Sequence, residues 1–459
     1  MAVFSSLSRQ QKEAVGLLQI GTFLEYFDLM LYVHMAVLLN ELFFPKTDPH
    51  TAALLSAFAF CSTYVLRPFG ALIFGWIGDN IGRKSTVVIT TIMMSISCVV
   101  MANLPTYAQI GVSAAWVVTI CRIVQGLASM GEYVGANIYL TEIIKPPSQY
   151  PAVAFLDTAS SFGGVMALFV ATIATSSTSA FNWRIAFWIG AGLAVVGSVA
   201  RTRLRETPEF LNGKRRIKRR IKRRIEDTNY DNNKKVSGLI RGANSLPNQK
   251  AHYKTLISYF LMSCASPLCF YITFMYCGIL KKNLGYTPEE IIHQNLFVSI
   301  LGMISITLTA FLSYKIRPLF ILKSKVFILF FFILLTPHLI SHLSLSNIIF
   351  VQVVFIIFGL AINPAYPIIF QHIPVLKRFT NASFIYATSR ALTYIITTFG
   401  CVYLTEWFGY YGLLIIMVPI TLGFFWGVNH FEKLENQNHH QAHTQDPLSI
   451  KPDDLKLAG

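Results

Sequence analysis

The sequence predicts an all-α membrane protein of twelve transmembrane helices in two six-helix halves, and three observations carry that prediction. Of the 459 residues, 54% are hydrophobic and only 13% are charged, whereas a soluble domain carries about 25% charged residues to coat its surface. With a mean hydropathy of +0.52, the chain has too little polar surface to cover a water-soluble globule. Next, apolar stretches long enough to cross a hydrocarbon core, roughly 20 residues as helix, recur twelve times. Finally, the longest polar segment, 204–253, falls between the sixth and seventh stretches and divides the chain evenly.

The stretches run over 14–39, 51–77, 85–104, 109–141, 152–178, 182–203, 254–280, 289–314, 325–342, 346–371, 381–405 and 409–430. They define an N-terminal half at 1–203, a basic loop at 204–253, a C-terminal half at 254–430 and a polar tail at 431–459. Two of them are irregular: 109–141 is long for one span, and Lys323 and Lys325 interrupt 318–342. Met1 to Glu13 lacks the charged, apolar, small-residue order of a cleavable leader, so the first stretch is expected to be retained.

The net charge of +16 follows the membrane topology. With the N-terminus inside, the cytoplasmic segments hold 31 of the 38 lysines and arginines, the outer loops hold Lys46, Lys281 and Lys282, and Arg67, Arg122, Arg184 and Arg390 fall within spans. That asymmetry places both termini in the cytoplasm. Nine basic residues lie between Lys214 and Arg224, where Lys-Arg-Arg-Ile occurs three times. This run reads either as a patch for anionic lipid or as a solvated linker. Nucleic acid is disfavoured, because no aromatic stacking platform adjoins it. The seven cysteines show no C-x-x-C spacing, so neither a disulfide framework nor a thiolate metal site is expected.

Ionisable groups inside spans are costly and mark function. In the first span Glu25, Asp28 and Tyr32 stand at i, i+3 and i+7 on one helix face. Two carboxyls at close range hold a shared proton more readily than both ionise, which suits proton carriage. The alternative is a pair of structural ion pairs with arginine. In the fourth span Arg122, Gln125, Ser129 and Glu132 form a polar stripe, with Arg122 at a depth close to that of Asp28. A pair between Arg122 and Asp28 or Glu25 would loosen on protonation and leave the arginine for an anionic group of a solute. Between the second and third spans lies Gly75-Trp76-Ile77-Gly78-Asp79-Asn80-Ile81-Gly82-Arg83-Lys84. It is not a phosphate loop, because Gly82-Arg83-Lys84-Ser85 has an extra residue and no strand precedes it. Without an ATP site, an ion gradient is the expected energy source and no cofactor is needed.

Gly75 to Lys84, preceded by Arg67-Pro68-Phe69-Gly70, resembles the loop 2–3 motif of the major facilitator superfamily, and more narrowly its metabolite:proton symporter family. Glu25-Tyr26-Phe27-Asp28, Leu104 to Ala108, Arg122-Ile123-Val124-Gln125-Gly126 with Gly131-Glu132, and Trp183-Arg184 with Glu206 to Phe210 agree with it in order and spacing. The resemblance covers about residues 16 to 210, while the second half matches by helix count. It implies the major facilitator fold, an inner-membrane location and a cytoplasmic gate. That gate includes Gly75 and Gly82; in it Asp79 faces the eleventh helix near Thr380 and Asn381, and Arg83 pairs with Glu142. The competing reading is a topology signal alone. Ser313 to Pro318, the counterpart loop, lacks the Asp and the Gly-Arg pair, and Asn80 stands where relatives carry a basic residue.

In the tenth span Asn363-Pro364-Ala365-Tyr366-Pro367 brings two prolines, and broken helices are tolerated where they line a cavity. Tyr271, Tyr276, Asn363, Tyr366, Tyr386, Arg390 and Tyr394 are candidates for a solute wall, the tyrosines suiting a quaternary ammonium or serving as ordinary packing. The function expected is proton-coupled symport of a small solute, a proline- or betaine-like zwitterion first and a di- or tricarboxylate second. Glu25, Asp28, Tyr32, Arg122, Gln125 and Glu132 are its coupling and binding candidates. A receptor on the same fold is the rival outside transport. No nucleophile–base pair appears, so an enzyme is not expected.

Overall fold

The computed structural model describes residues 6–43, 64–175, 183–228, 252–342 and 344–444, and every regular element among them is helical. The start of the second predicted span, the end of the fifth, Lys46, residues 229–251 of the basic loop and the tail from 445 lie outside the described residues. Helix is the required answer for these sequences, because apolar stretches in lipid must satisfy their own backbone hydrogen bonds.

The first half comprises α1 (Arg9–Phe43), α2 (Arg67–Asn80), α3 (Arg83–Asn103), α4 (Val112–Ile143), α5 (Gln149–Thr175) and α6 (Trp183–Arg201). The second comprises α8 (Tyr253–Asn283), α9 (Pro288–Leu312), α10 (Pro318–Ser341), α11 (Leu345–Ile357), α12 (Tyr366–Gln371), α13 (Val375–Phe408) and α14 (Leu413–Thr444). Between them α7 (Pro208–Thr228) runs through the basic segment. Among the described residues, eight helical stretches are long and apolar enough to cross a membrane, and one of them, Val375–Gln437, contains α13 and most of α14. Arg184–Val199 and α11 are shorter apolar helices.

Within the first half α1 packs along α5 and α6, and α3 along α6 and α4. In the second, α8 packs on α13 and α14, and α10 on α11 and α14. The halves meet mainly through two helix pairs, α2 with α13 and α5 with α9, and less extensively through α4 and α5 with α12 and α4 with α13. Outward faces carry Phe320, Phe327 and Phe331 on α10 and Val195, Val196 and Val199 on α6, all exposed. On a soluble protein such patches would be interfaces, and here they are the lipid-facing side. Trp116, Tyr403 and Trp407 are exposed at the end remote from α7, where a membrane protein places its aromatic belt.

Several expectations shift. The basic segment begins as a helix, because Lys-Arg-Arg-Ile repeats contain good helix formers and no breaker. α10 starts at Pro318, a residue suited to the first helical turn, and so carries Lys323 and Lys325 within one continuous helix. α14 continues to Thr444, past the predicted end of the span. The long fourth stretch is a short helix, Tyr107–Ile110, followed by α4, which contains a π-helical turn at Met130–Val134. α8 has a second such turn at Tyr271–Tyr276. π-turns re-aim the side chains after them and are common at functional sites.

Candidate functional site

The face predicted on α1 is buried against α3 and α4. Arg122 Nη1 donates to Asp28 Oδ2 at 3.5 Å and to Gln125 Oε1 at 2.7 Å, and its guanidinium lies 3.9 Å above the Tyr32 ring. The Cys98 thiol donates to Asp28 Oδ1 at 3.3 Å. Both charges are almost wholly buried, so each stabilises the other's ionised form. One turn away, Glu25 Oε2 is buried with no hydrogen-bond partner among the described residues. Glu25, Asp28, Cys98, Thr91 and Glu132 border a small hollow of about 10 Å³, close to the size of a single water.

Glu132 leaves the stripe that Arg122 and Gln125 share. The π-turn carries it toward α6, where it pairs with Arg201 Nη1. Thr91 Oγ1 donates to Glu132 Oε2 at 2.8 Å and receives Arg201 Nη1 at 2.6 Å, and Arg201 Nη2 donates to Leu18 O at 3.2 Å. Arg201 is fully buried. Sequence reading counts it as a cytoplasmic topology arginine, because a cation at the end of an apolar stretch looks the same whether it points to water or inward. The only available signal was that Glu132 needed a cation.

At the α7 end the halves are tied together. Asp79 Oδ1 accepts the Phe379 N–H at 3.0 Å, and Oδ2 accepts the Thr380 N–H at 2.9 Å and its hydroxyl at 2.7 Å. These donors belong to the first turns of α13, where the helix dipole favours an anion. The bonds fall on Phe379 and Thr380, just before Asn381. Arg83 contacts Asp79 at 3.0 Å and grips Glu142 with two nitrogens at 3.2 and 3.4 Å. Arg378 reaches the same Glu142 at 3.1 Å and Glu209 at 2.8 Å. The segment entering α7 closes over this cluster. Glu206 accepts the Arg83 N–H at 3.0 Å, the Thr207 hydroxyl donates to Glu142, and Phe210 lies beneath the Arg83 guanidinium at 4.9 Å. A methyl on Gly75 would come within 2.7 Å of Thr380 Cα, so only glycine lets α2 approach α13 this closely. Gly82, at φ 157°, turns the chain into α3 with no room for a Cβ beside Glu206. Sequence reading missed the gate role of Arg378, which with Lys377 looks like a topology signal, and took Glu209 only as part of the Glu206 to Phe210 stretch.

Above the gate, a cavity of about 650 Å³ opens between the halves and extends to Lys282 and Tyr286 at the remote end. Its wall includes Tyr26, Tyr64, Arg67, Tyr133 and Asp157 from the first half and Asn363, Arg390 and Tyr394 from the second. The Tyr133 hydroxyl donates to Asp157 Oδ1 at 2.7 Å, its ring lies tilted 5.1 Å from that of Tyr386, and Arg390 lies 3.5 Å over the Tyr386 ring. Tyr64 carries Arg67 on its ring at 4.4 Å and meets Tyr394 across the halves, also at 4.4 Å. The chain between α11 and α12 is irregular, and its Gly359 to Ala361, Asn363 and Pro364 line the cavity.

Of the predicted wall, Asn363, Arg390 and Tyr394 border this space and Tyr386 stands behind Arg390. Tyr271, Tyr276 and Tyr366 pack into the core instead. In α8 the π-turn directs Phe270, Thr273 and Phe274 to the cavity and turns both tyrosines away, and Tyr366 stacks on Phe370. Arg122 does not border the large cavity. The cations that do, among the described residues, are Arg67, Lys282, Lys325 and Arg390.

The chain is 27% identical over 285 residues to the proline/betaine transporter of Salmonella typhimurium, a match covering 61% of this chain and 55% of that one. It is 34% identical over 213 residues to the inner membrane metabolite transport protein YhjE of Escherichia coli, covering 45% and 48% respectively. The chain thus spans about half the length of the curated relatives it matches. Among solved structures, a proton:xylose symporter superposes with a TM-score of 0.71 at 17% identity over 91% of this chain and 95% of that one. A human organic anion transporter does so at 0.63 and 12% identity over 92% and 100%. At these identities the structures speak for the fold alone. Residues 18–398 match the family model described as the Major Facilitator Superfamily. With that match over most of the chain, and with apolar helices packed as two groups around a central cavity, the protein is a multi-pass membrane member of the major facilitator superfamily.

Proposed function

We propose that the protein is a secondary active transporter that carries a small organic solute together with protons across the inner membrane. Its twelve spans, in two six-helix halves, expose the central cavity alternately to either side, with both termini in the cytoplasm. The observation that carries this reading is the buried Asp28–Arg122 pair beside the unpartnered Glu25. Charges at this depth are retained at a cost that only a task repays. A proton arriving on Asp28 cancels one member of the pair, weakens the hold of α1 on α4 and so biases one packing of the first half over the other. Arg390, which borders the cavity, takes the part of the solute's anionic anchor that sequence reading assigned to Arg122. Coupling to a proton gradient needs no bound cofactor.

Closure of the α7 end beneath an open cavity is the arrangement of a carrier loaded from outside. Asp79→Asn keeps the side chain's size but removes the charge at the α13 N-terminus and beside Arg83, and it turns an NH2 toward donors that one of the two oxygens had accepted. Turnover in proteoliposomes is expected to fall at least about tenfold while the solute's Kd moves less than threefold, since loss of a charged hydrogen bond is worth about 1.5–3 kcal/mol. Unchanged turnover would reduce the loop to a topology signal.

Solute class is tested by competition uptake under an imposed pH gradient, with proline and betaine against succinate and citrate. A di- or tricarboxylate is the second reading, favoured by four cavity-lining cations against the single carboxylate Asp157. On α7, the exposed Lys214, Arg215, Arg216, Lys218 and Arg219 make anionic lipid the expected partner of that helix.

A further inference from the structure

The least explained group in the cavity is Asp157. No sequence motif includes it, and among the described residues no lysine or arginine pairs with it. One oxygen takes the Tyr133 hydroxyl at 2.7 Å, and the other takes no hydrogen bond from a described residue. The same cavity is lined by Arg390, which rests on the Tyr386 ring and makes no ion pair with a carboxylate among the described residues. The Tyr133 and Tyr386 rings, tilted and 5.1 Å apart, link the side chains that hold the two charges, and Tyr26 lies against Tyr133. The two poles come from opposite halves. Asn363 is 6% exposed and borders the same cavity; its Oδ1 lies 3.5 Å from the Tyr133 hydroxyl, and its Nδ2 has no hydrogen-bond partner among the described residues.

The competing cations are placed elsewhere. Arg67 sits over Tyr64, Lys325 donates to Thr309 at 3.0 Å, and Lys282 is exposed at the remote end. The local pattern is therefore one acceptor pole, one cationic pole and one spare amide donor, with aromatic rings beside them.

We propose that Asp157 and Arg390 are the two ends of the solute site, with the Asn363 amide beside Tyr133 along it, and that Asp157 makes it selective for zwitterions whose ammonium carries N–H. This rests on the carrier reading above and specifies its solute. The solute's carboxylate lies against Arg390, and its N–H groups donate to the free oxygen of Asp157. Tyr133 is a positioning residue that holds the Asp157 carboxylate by its other oxygen. A fully methylated ammonium has no proton to donate and keeps the carboxylate at the distance of its methyl groups. It leaves Asp157 unsatisfied, and sites built around a hydrogen bond reject the analogue that lacks it far better than apolar sites reject a size change. A solute that joins Asp157 to Arg390 also joins the two halves, which is what closing the remote end over it requires.

The test is equilibrium binding to the purified, detergent-solubilised full chain, which needs neither a gradient nor turnover. The probes are L-proline and a panel of primary amino acids, glycine betaine and succinate. At least one N–H zwitterion is expected to bind at least about tenfold more tightly than betaine. Asp157→Asn is expected to weaken it at least about tenfold while leaving betaine unchanged, and Tyr133→Phe is expected to do so to a smaller degree. Asp157→Glu, with a melting temperature near the wild type, restores part of the preference and separates recognition from misfolding. Betaine binding as tightly as any N–H zwitterion, equal loss of both in Asp157→Asn, tighter succinate binding in that variant, or no binding by the whole N–H panel would each overturn the proposal. Selective binding without any transport would remove the carrier reading and leave this one standing.

Discussion

Replacing Asp28 with Asn is expected to abolish proton-driven accumulation while solute exchange continues. The substitution keeps one oxygen, for Arg122 Nη1 now 3.5 Å from the carboxylate, and turns an NH2 toward the Cys98 sulfur at 3.3 Å, which is a weak acceptor, so the packing of α1 on α4 changes little. What it removes is the ability to alternate between a charged and a neutral partner for Arg122. One proton per solute across one pH unit supports about tenfold accumulation, because a pH unit is worth about 1.36 kcal/mol. In proteoliposomes with an imposed pH gradient the variant should therefore equilibrate its solute at a ratio of about one. Counterflow exchange without a gradient should stay within about threefold of the wild type, a difference smaller than one net hydrogen bond. Uphill uptake by Asp28→Asn at the wild-type level would take the coupling role away from Asp28. The same assay on Glu25→Gln asks whether the neighbouring unpartnered carboxyl takes part in the same proton path.

The largest loss of stability is expected from Arg201→Met. The arginine is fully buried and holds Glu132, Thr91 and the Leu18 carbonyl in one network. Removing it leaves a carboxylate without a cation inside the first half, and breaking a buried pair from one side costs about 3–5 kcal/mol. Thermal unfolding in detergent, followed by a probe of tertiary structure, should show a clearly lower midpoint and reduced folded yield. Arg201→Met combined with Glu132→Gln should recover most of that loss, because two apolar or neutral groups of similar shape leave no stranded charge. The double variant also separates two readings of Glu132. If it folds and still accumulates solute against a gradient, Glu132 is an anchor between α4 and α6 and not a proton carrier. If it folds, exchanges solute and no longer accumulates it, Glu132 belongs with Asp28 in the coupling path.

Much of the site was legible because intramembrane charge is rare. Within one helix the periodicity alone puts Glu25, Asp28 and Tyr32 on a common face, and counting residues from the helix end gives Arg122 its depth. The acid in Gly75 to Lys84 was legible for a different reason, since an Asp beside two cations serves no topological purpose. Other residues gave no such signal. Asp157 is one acid in a small-residue helix with no partner in its own sequence neighbourhood, and Arg201 was hidden among the basic residues that follow it. The tyrosines misled in the opposite direction. Tyr271 and Tyr276 look like wall residues from composition, but the π-turn that contains them rotates both into the core.

By itself, then, the chain's composition and pattern determined where most of the described helices run and which acids and arginines fall within apolar stretches, and set the expectation that the basic residues gather on one side. Those properties follow from apolar length, backbone hydrogen bonding and charge near the membrane surface, all of which are local. Only the tertiary structure decided which charges meet. Asp79 finds the N–H groups of Phe379 and Thr380 three hundred residues on, Glu132 turns to Arg201 through a π-helical shift in register, and Asp157 and Arg390 come to line one cavity from opposite halves. The reason is physical: a helix presents its side chains by its own period, but the partner that neutralises a buried charge is chosen by how helices pack.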